Sequence, residues 1–263
     1  MVLPTNHDLP SGFATGQLTI LNWGRSALSA AFLFAGFALL FAIGGWASIG
    51  TPPKPFAPAE GFFVSGIQLQ TLALAVMFIG LVTWGARFGP FVDRGLVVIW
   101  HLAGVSAVLP VAIIFLWASA RFLFGLSTFP PDEMPVSFSE TWWIELALAL
   151  FGFALAGGIP VLLRWGGHVS IDVLTARAAP QVRKAVTRFG TLFLSLPFGW
   201  ILLTKGSSFA ARSWTQWEGS QNFGIEFVFL VKTLVPLMGF LIVVVSALSL
   251  REPMQTRQKA ASA

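Results

Sequence analysis

FLFAGFALLFAIGGW, residues 32–46, carries no charged side chain. A helix rises about 1.5 Å per residue, so crossing a hydrocarbon core of about 30 Å takes roughly 20 apolar residues. The stretch lies inside a longer apolar run, from about Ala27 to Gly50, that meets this length. Working outward, five more runs qualify. They are Ile67 to Gly85 (around LALAVMFIGLVTW), Gly95 to Ala120 (VVIWHLAGVSAVLPVAIIFLW), Trp143 to Leu163 (IELALALFGFALAGGIPVLL), Thr187 to Thr204 (FLSLPFGWILL) and Ile225 to Leu250 (FVFLVKTLVPLMGFLIVVVSALSL). The sequence therefore predicts an all-α polytopic membrane bundle of about six transmembrane helices. The fifth run is short and contains Pro197, and the sixth carries Glu226 and Lys232 near its start. Both still span, because proline is tolerated in lipid and a lysine near a helix end reaches the interface. The first run is too long for a cleaved leader and reads as a signal anchor that stays as the first span.

Composition excludes the soluble classes. Hydrophobic residues make up 56% of the chain and charged ones 10%, against about 25% charged in a soluble domain. Cysteine is absent, which removes disulfide and thiolate chemistry. With only His7, His101 and His168, a histidine-rich metal site is not expected. The net charge of +5 does not gather on one face, so a nucleic-acid partner is not expected either.

The basic residues follow the membrane. With the N-terminus inside, Arg25, Arg87, Arg94, Arg164, Arg177, Arg183, Lys184, Arg188, Arg251, Arg257 and Lys259 fall on the cytoplasmic side. Only Lys54, Arg121, Lys205, Arg212 and Lys232 fall opposite, with Asp132, Glu133, Glu140 and Glu218. That bias predicts both termini cytoplasmic. Trp46, Trp84, Trp100, Trp143 and Trp165 lie near span ends, where indoles sit at the headgroup level.

Two connections are informative. Arg164 to Gly190 reads RWGGHVSIDVLTARAAPQVRKAVTRFG. Gly166 and Gly167 end the fourth helix, and Pro180 suits the first turn of a short amphipathic segment along the membrane surface, between the fourth and fifth spans. Arg183, Lys184 and Arg188 there are either topological anchors or contacts to phosphate headgroups or a subunit. The outer segment Lys205 to Phe223, KGSSFAARSWTQWEGSQNF, sets Trp214 and Trp217 beside Glu218, Ser220 and Asn222. This is either a packed interface element or an aromatic belt. Glu140 and Glu145 bracket the start of the fourth helix, where acids complement the dipole.

No catalytic constellation is visible. His168 and Asp172 share a face only in a helix, and the alternating Val169, Ile171 and Val173 argue against one. There is no HExxH, phosphate loop or cysteine pair. His101 reads as a packed or interfacial histidine. Glu145 and Glu226 lie near span ends, whereas an acid deep in a span would point to transport chemistry. The chain is expected to be neither an enzyme nor a carrier by itself, and no cofactor is expected.

From roughly Ala103 to Arg251 the sequence resembles the small membrane subunit (small permease, DctQ-like) of tripartite ATP-independent periplasmic, or TRAP, transporters. The motifs are Arg164 with Gly167-His168-Val169-Ser170-Ile171-Asp172-Val173-Leu174 and the segment Pro180 to Arg188; then Ser213-Trp214, Glu218, Ser220 and Asn222 before Gly224-Ile225; then Lys232 with Pro236. The resemblance looks closest to the branch annotated for mannitol and chloroaromatic compounds. It implies a four-span scaffold in the bacterial inner membrane that pairs with a large TRAP membrane subunit holding the sodium and substrate sites. A periplasmic solute-binding protein would deliver the solute, usually an organic anion such as a carboxylate. By the same resemblance, Arg164, His168, Asp172, Arg183, Lys184 and Arg188 would serve structure, membrane-lipid contact or subunit contact, Trp214, Glu218 and Asn222 would shape the periplasmic surface, and all of these with Lys232 are candidate subunit or lipid interface residues.

The expected organisation is an N-terminal extension with two spans (1–94), a DctQ-like four-helix domain (95–251) and a polar cytoplasmic tail (252–263). The competing readings are a membrane assembly factor or other non-transporting scaffold, a membrane enzyme, and a self-sufficient channel or carrier. The last two need polar residues converging in the bundle or a polar stripe along a span.

Overall fold

The run Phe240 to Leu248 is apolar on nearly every side, and a helix apolar all round belongs at the centre of a bundle. A computed structural model describes residues 20–49, 66–125, 139–165, 179–220 and 224–251, and in it every residue of that run is buried. The helix that carries it, α6, spans Val228–Arg251. Around it stand α1 (Ile20–Ile49), α2 (Gly66–Phe124), α3 (Glu140–Trp165) and α5 (Leu196–Thr215). A short α4 (Pro180–Gly190) runs through a π-helical turn, Thr191–Ser195, into α5. Every element among the described residues is helical, as the composition predicts.

Five helical segments are long and apolar enough to cross a membrane: Gly24–Gly44, Arg87–Phe124, Glu140–Trp165, Ala185–Thr215 and Val228–Leu250. The remaining expected span appears as the shorter apolar segment Leu69–Gly85. It does not stand alone, because α2 is one helix of 59 residues. At 1.5 Å per residue α2 is about 88 Å long, roughly three times the hydrocarbon thickness. The turn expected between Gly85 and Gly95 is therefore absent. Only Gly89-Pro90 interrupts helical sequence there, and proline removes one backbone hydrogen bond without ending a helix whose neighbours hold it.

The two halves of α2 serve different neighbours. Its first half runs antiparallel to α1, with Gln70 against Gly44 and Gly95 against Ser29 and Leu33. Its second half runs antiparallel to α3, with Ile99 and Ala103 against Gly157. The helix continues unbroken through residues 94 and 95, where the extension was expected to give way to the core.

The seam between α5 and α6 is set by glycine. A Cβ on Gly239 would lie 2.5 Å from Leu203 N and 2.7 Å from Gly199 O, and one on Gly199 would lie 2.8 Å from Ile242 Cγ2. With nothing larger than hydrogen at these positions, the two backbones touch, the close approach that membrane helices use where water supplies no driving force. The π turn has a local cause. Pro197 has no N–H for the Phe193 carbonyl, and the Leu196 N–H reaches back to Thr191 O instead.

The segment after the fourth span was expected to lie apart as a surface helix. Its helical part, α4, is continuous with α5 through the π turn and packs appreciably only against that turn. Val182, Val186 and Phe189 form an exposed apolar stripe along it, at the i, i+4, i+7 spacing of one helix face.

Candidate functional site

Three polar groupings tie the helices together, and each joins residues far apart in sequence.

The first lies at the C-terminal end of α3. Arg164 donates from Nε to Asp93 Oδ1 at 2.7 Å and from Nη2 to Asp93 Oδ2 at 2.9 Å. The paired, charge-assisted geometry is the strongest form of such a contact. The Arg164 side chain is 2% exposed and that of Asp93 35%, so water reaches the carboxylate but not the guanidinium. Arg164 was expected to serve structure, lipid contact or subunit contact. It turns inward and clamps α3 to α2. Trp165 packs edge-on against Trp100 beside the pair, with ring centroids 6.3 Å apart.

The second grouping closes the opposite end of the bundle, at the α5–α6 connection. Helix α5 ends in a paired-bond cap. The Glu218 N–H donates to Ser213 O at 3.1 Å and the Trp217 N–H to Trp214 O at 3.3 Å. This motif requires a left-handed residue, usually glycine, and Trp217 occupies the position at φ 46°. The cap delivers the Glu218 carboxylate to α6. Its Oε2 accepts from Ser213 Oγ at 2.6 Å and from Lys232 Nζ at 2.5 Å. The hydrogen bond from Lys232, then that from Ser213, holds the Glu218 carboxyl below its ordinary value of 4.5, against a smaller opposing effect of desolvation. Lys232 also stands over the Phe209 ring, 4.7 Å from its centroid.

Trp214 donates from Nε1 to Thr233 Oγ1 at 3.1 Å, and both Trp214 and Trp217 meet Phe229 edge to face, at 4.6 and 5.4 Å. Both rings thus meet Phe229 within the chain, and Trp217 stays largely exposed. From the other side, Glu145 of α3 accepts from Ser220 Oγ at 2.6 Å and from the Ile225 N–H at 2.9 Å. Glu145 was expected to complement its own helix dipole; it reaches across to pin the connection. Glu140 pairs with Arg121 at 2.6 Å, joining α3 to α2 at this end.

The third grouping was missed in the sequence. Gln70, fully buried, donates from Nε2 to Leu40 O at 3.1 Å and to Ser207 Oγ at 3.0 Å. It joins α1, α2 and α5 in one polar node. A Cβ on Gly44 would collide with the Gln70 amide, so a glycine makes the room. Gln68 and Gln70 at the start of an apolar run were the only signal, and they read equally as a helix end.

Of the other expected site residues, His168, Asp172 and Asn222 lie outside the described residues. Arg183 and Lys184 fall within α4, with side chains outside the described set; Arg188 is exposed on the same helix. Lys205 was expected in an outer connection. The structure carries α5 through it to Thr215, placing Lys205 inside the helix with its side chain exposed. Among the described residues no group of three or more His, Asp or Glu could hold a metal ion. Chemically these groupings brace the bundle.

Residues 134–256 match the family model for the DctQ component of tripartite ATP-independent periplasmic transporters. The matched stretch contains α3 to α6 and leaves α1 and α2 outside it. It does not single out the mannitol and chloroaromatic branch. No curated protein matches the chain, and no solved structure does.

Proposed function

We propose that this chain is the small scaffold subunit of a sodium-coupled TRAP-type secondary transporter in a bacterial inner membrane. In this reading a large membrane subunit holds the sodium and substrate sites, and a periplasmic binding protein delivers an organic anion such as a carboxylate. The observation that carries it is the DctQ match over residues 134–256, which falls on helices tied to one another by polar contacts around the α5–α6 connection.

The polar chemistry supports a static role. Glu145, Glu218, Lys232, Arg164 and Gln70 all bond to other parts of the same chain. A side chain that binds a solute has to exchange partners; these are committed to holding helices together. The extension is then part of the scaffold, since Asp93 of α2 holds Arg164 of the matched region. The basic side of the bundle, with Arg164 and Arg188, faces the cytoplasm. The Val182, Val186 and Phe189 stripe of α4 lies in lipid, and Arg183, Lys184 and Arg188 meet phosphate headgroups.

Reconstitution tests the proposal. The full chain, a large TRAP membrane subunit from the same cell, or both together are placed in proteoliposomes with a sodium gradient and the loaded binding protein. Uptake is expected only when both membrane proteins are present. Transport by this chain alone would sink the scaffold reading.

A further inference from the structure

Gln70 is fully buried where α1, α2 and α5 meet, and its amide nitrogen is shared between the other two helices. Nε2 donates to Leu40 O on α1 and to Ser207 Oγ on α5, while Oε1 accepts nothing from the chain. Among the described residues, the bond to Leu40 O is the one hydrogen bond that joins α1 to another helix. The other contacts that place α1 are apolar. Phe37 tilts against Phe240, and Leu33 lies against Gly95.

Apolar contact in lipid sets the register of a helix weakly, because hydrocarbon serves a leucine or phenylalanine about as well as another helix does. The sequence of α1 is open to sliding. Phe37 and Phe41 stand one turn apart, so a slide of one turn offers Phe240 a second phenylalanine ring. The amide is less forgiving. A Cβ on Gly44 would collide with it, and a one-turn slide puts Leu40 or Ser48 in the place of that glycine. The same slide carries the Leu40 carbonyl away from Nε2.

We propose that Gln70 is a register key. It fixes where α1 and the first half of α2, which lie outside the DctQ-matched stretch, sit on α5 and α6 within it. Its contribution is to select one arrangement, not to add stability. A hydrogen bond between membrane helices stabilises little in net terms, and this amide leaves an oxygen without a donor from the chain. A directional group in an apolar seam still excludes every register in which it loses its partners, as a buried polar residue does in a coiled coil. The inference stands apart from the transporter reading, because no other protein takes part in its test.

Spin labels on the full chain in lipid nanodiscs provide that test. The chain has no cysteine, so Leu28→Cys on α1 and Leu230→Cys on α6 take the labels uniquely, and both side chains are exposed. The two helices run antiparallel: Phe37 meets Phe240, and the node at Gly44 lies by Gly206, which packs on Val235 and Pro236. The labels therefore sit toward opposite ends of the bundle. A slide of one turn changes their separation by nearly the helix pitch of about 5.4 Å, a shift that dipolar spectroscopy resolves. One distance is expected with Gln70 in place. Gln70→Met, similar in shape but without the amide, should give two, with at least a third of the molecules displaced and no fall in the thermal midpoint in detergent. A single unshifted distance in Gln70→Met overturns the proposal. So do two distances in the chain that keeps Gln70, and so does a lowered midpoint for Gln70→Met, which assigns the amide to stability. Should Gln70→Met fail to accumulate, Ser207→Ala decides by the same readings, since it removes the α5 partner and leaves the apolar seam in place.

Discussion

The two ion pairs at opposite ends of the bundle use the same chemistry to different effect. Asp93–Arg164 joins residues from separate helices, with the guanidinium sealed from water. Glu218–Lys232 lies across one connection, and its carboxylate and ammonium are 33% and 23% exposed. Solvent therefore screens the second pair and hardly touches the arginine of the first. Removing one partner of a buried pair strands a charge, whereas removing one partner of an exposed pair returns the other to water. The first is a clamp between helices; the second orients a loop that a backbone cap and Glu145 also hold.

The sharpest way to break this contrast is Asp93→Ala. It takes the paired carboxylate from a buried guanidinium and should cost about 3 kcal/mol, the low end for breaking a buried pair because Asp93 keeps some water. Thermal unfolding in detergent measures the loss, and Asp93→Leu combined with Arg164→Leu should recover most of it. An unshifted midpoint for Asp93→Ala would show that the clamp carries no stability. The next effect is at the cap that presents Glu218. Trp217→Gly should be more stable than Trp217→Ala by about 1 kcal/mol, since both lose the ring but only glycine sits in the left-handed region without penalty. Equal midpoints would mean that the φ of Trp217 relaxes at no cost.

The smallest effect is the pH dependence of the half-buried Glu218–Lys232 pair. Pairing depresses the Glu218 carboxyl in the folded chain, so its contribution to stability is present above the unfolded value of about 4.5 and is lost as pH falls through the lower folded value. The difference in midpoint between wild type and Glu218→Gln should be steady from pH 7 to about 5 and shrink below that. A difference that grows on acidification contradicts the assigned pairing.

Much of the architecture was legible beforehand because hydropathy is local. The runs at residues 27–50, 143–163 and 225–250 became helices near their expected positions. The connection between Gly85 and Gly95 did not, because arginines and a Gly-Pro step read as a loop while tertiary packing carries the helix through. The end of α5 was misjudged for a related reason. Residues 205–215 are polar enough to look like a connection, yet Ser207, Ala210, Ala211 and Ser213 are buried against neighbouring helices. Of the expected site residues, Trp214, Glu218 and Lys232 come together in one cluster, and Ser213 beside them completes it. Arg164 was singled out, but nothing near it in sequence names Asp93 as a partner.

The amino-acid sequence by itself determined that this chain is helical and lives in a membrane, because about twenty uninterrupted apolar residues admit few other solvents. It also marked the stretch that matches the DctQ family. Only the tertiary structure decided which helix stands at the centre, that the second and third expected spans form one helix, and that Arg164 faces inward while Lys205 faces out. The physical reason is the range of the interactions. Hydrophobic burial in lipid is satisfied by any apolar neighbour and leaves the choice open. That choice falls to contacts between distant residues: Gly199 against Gly239, Asp93 with Arg164, and Gln70 with Ser207.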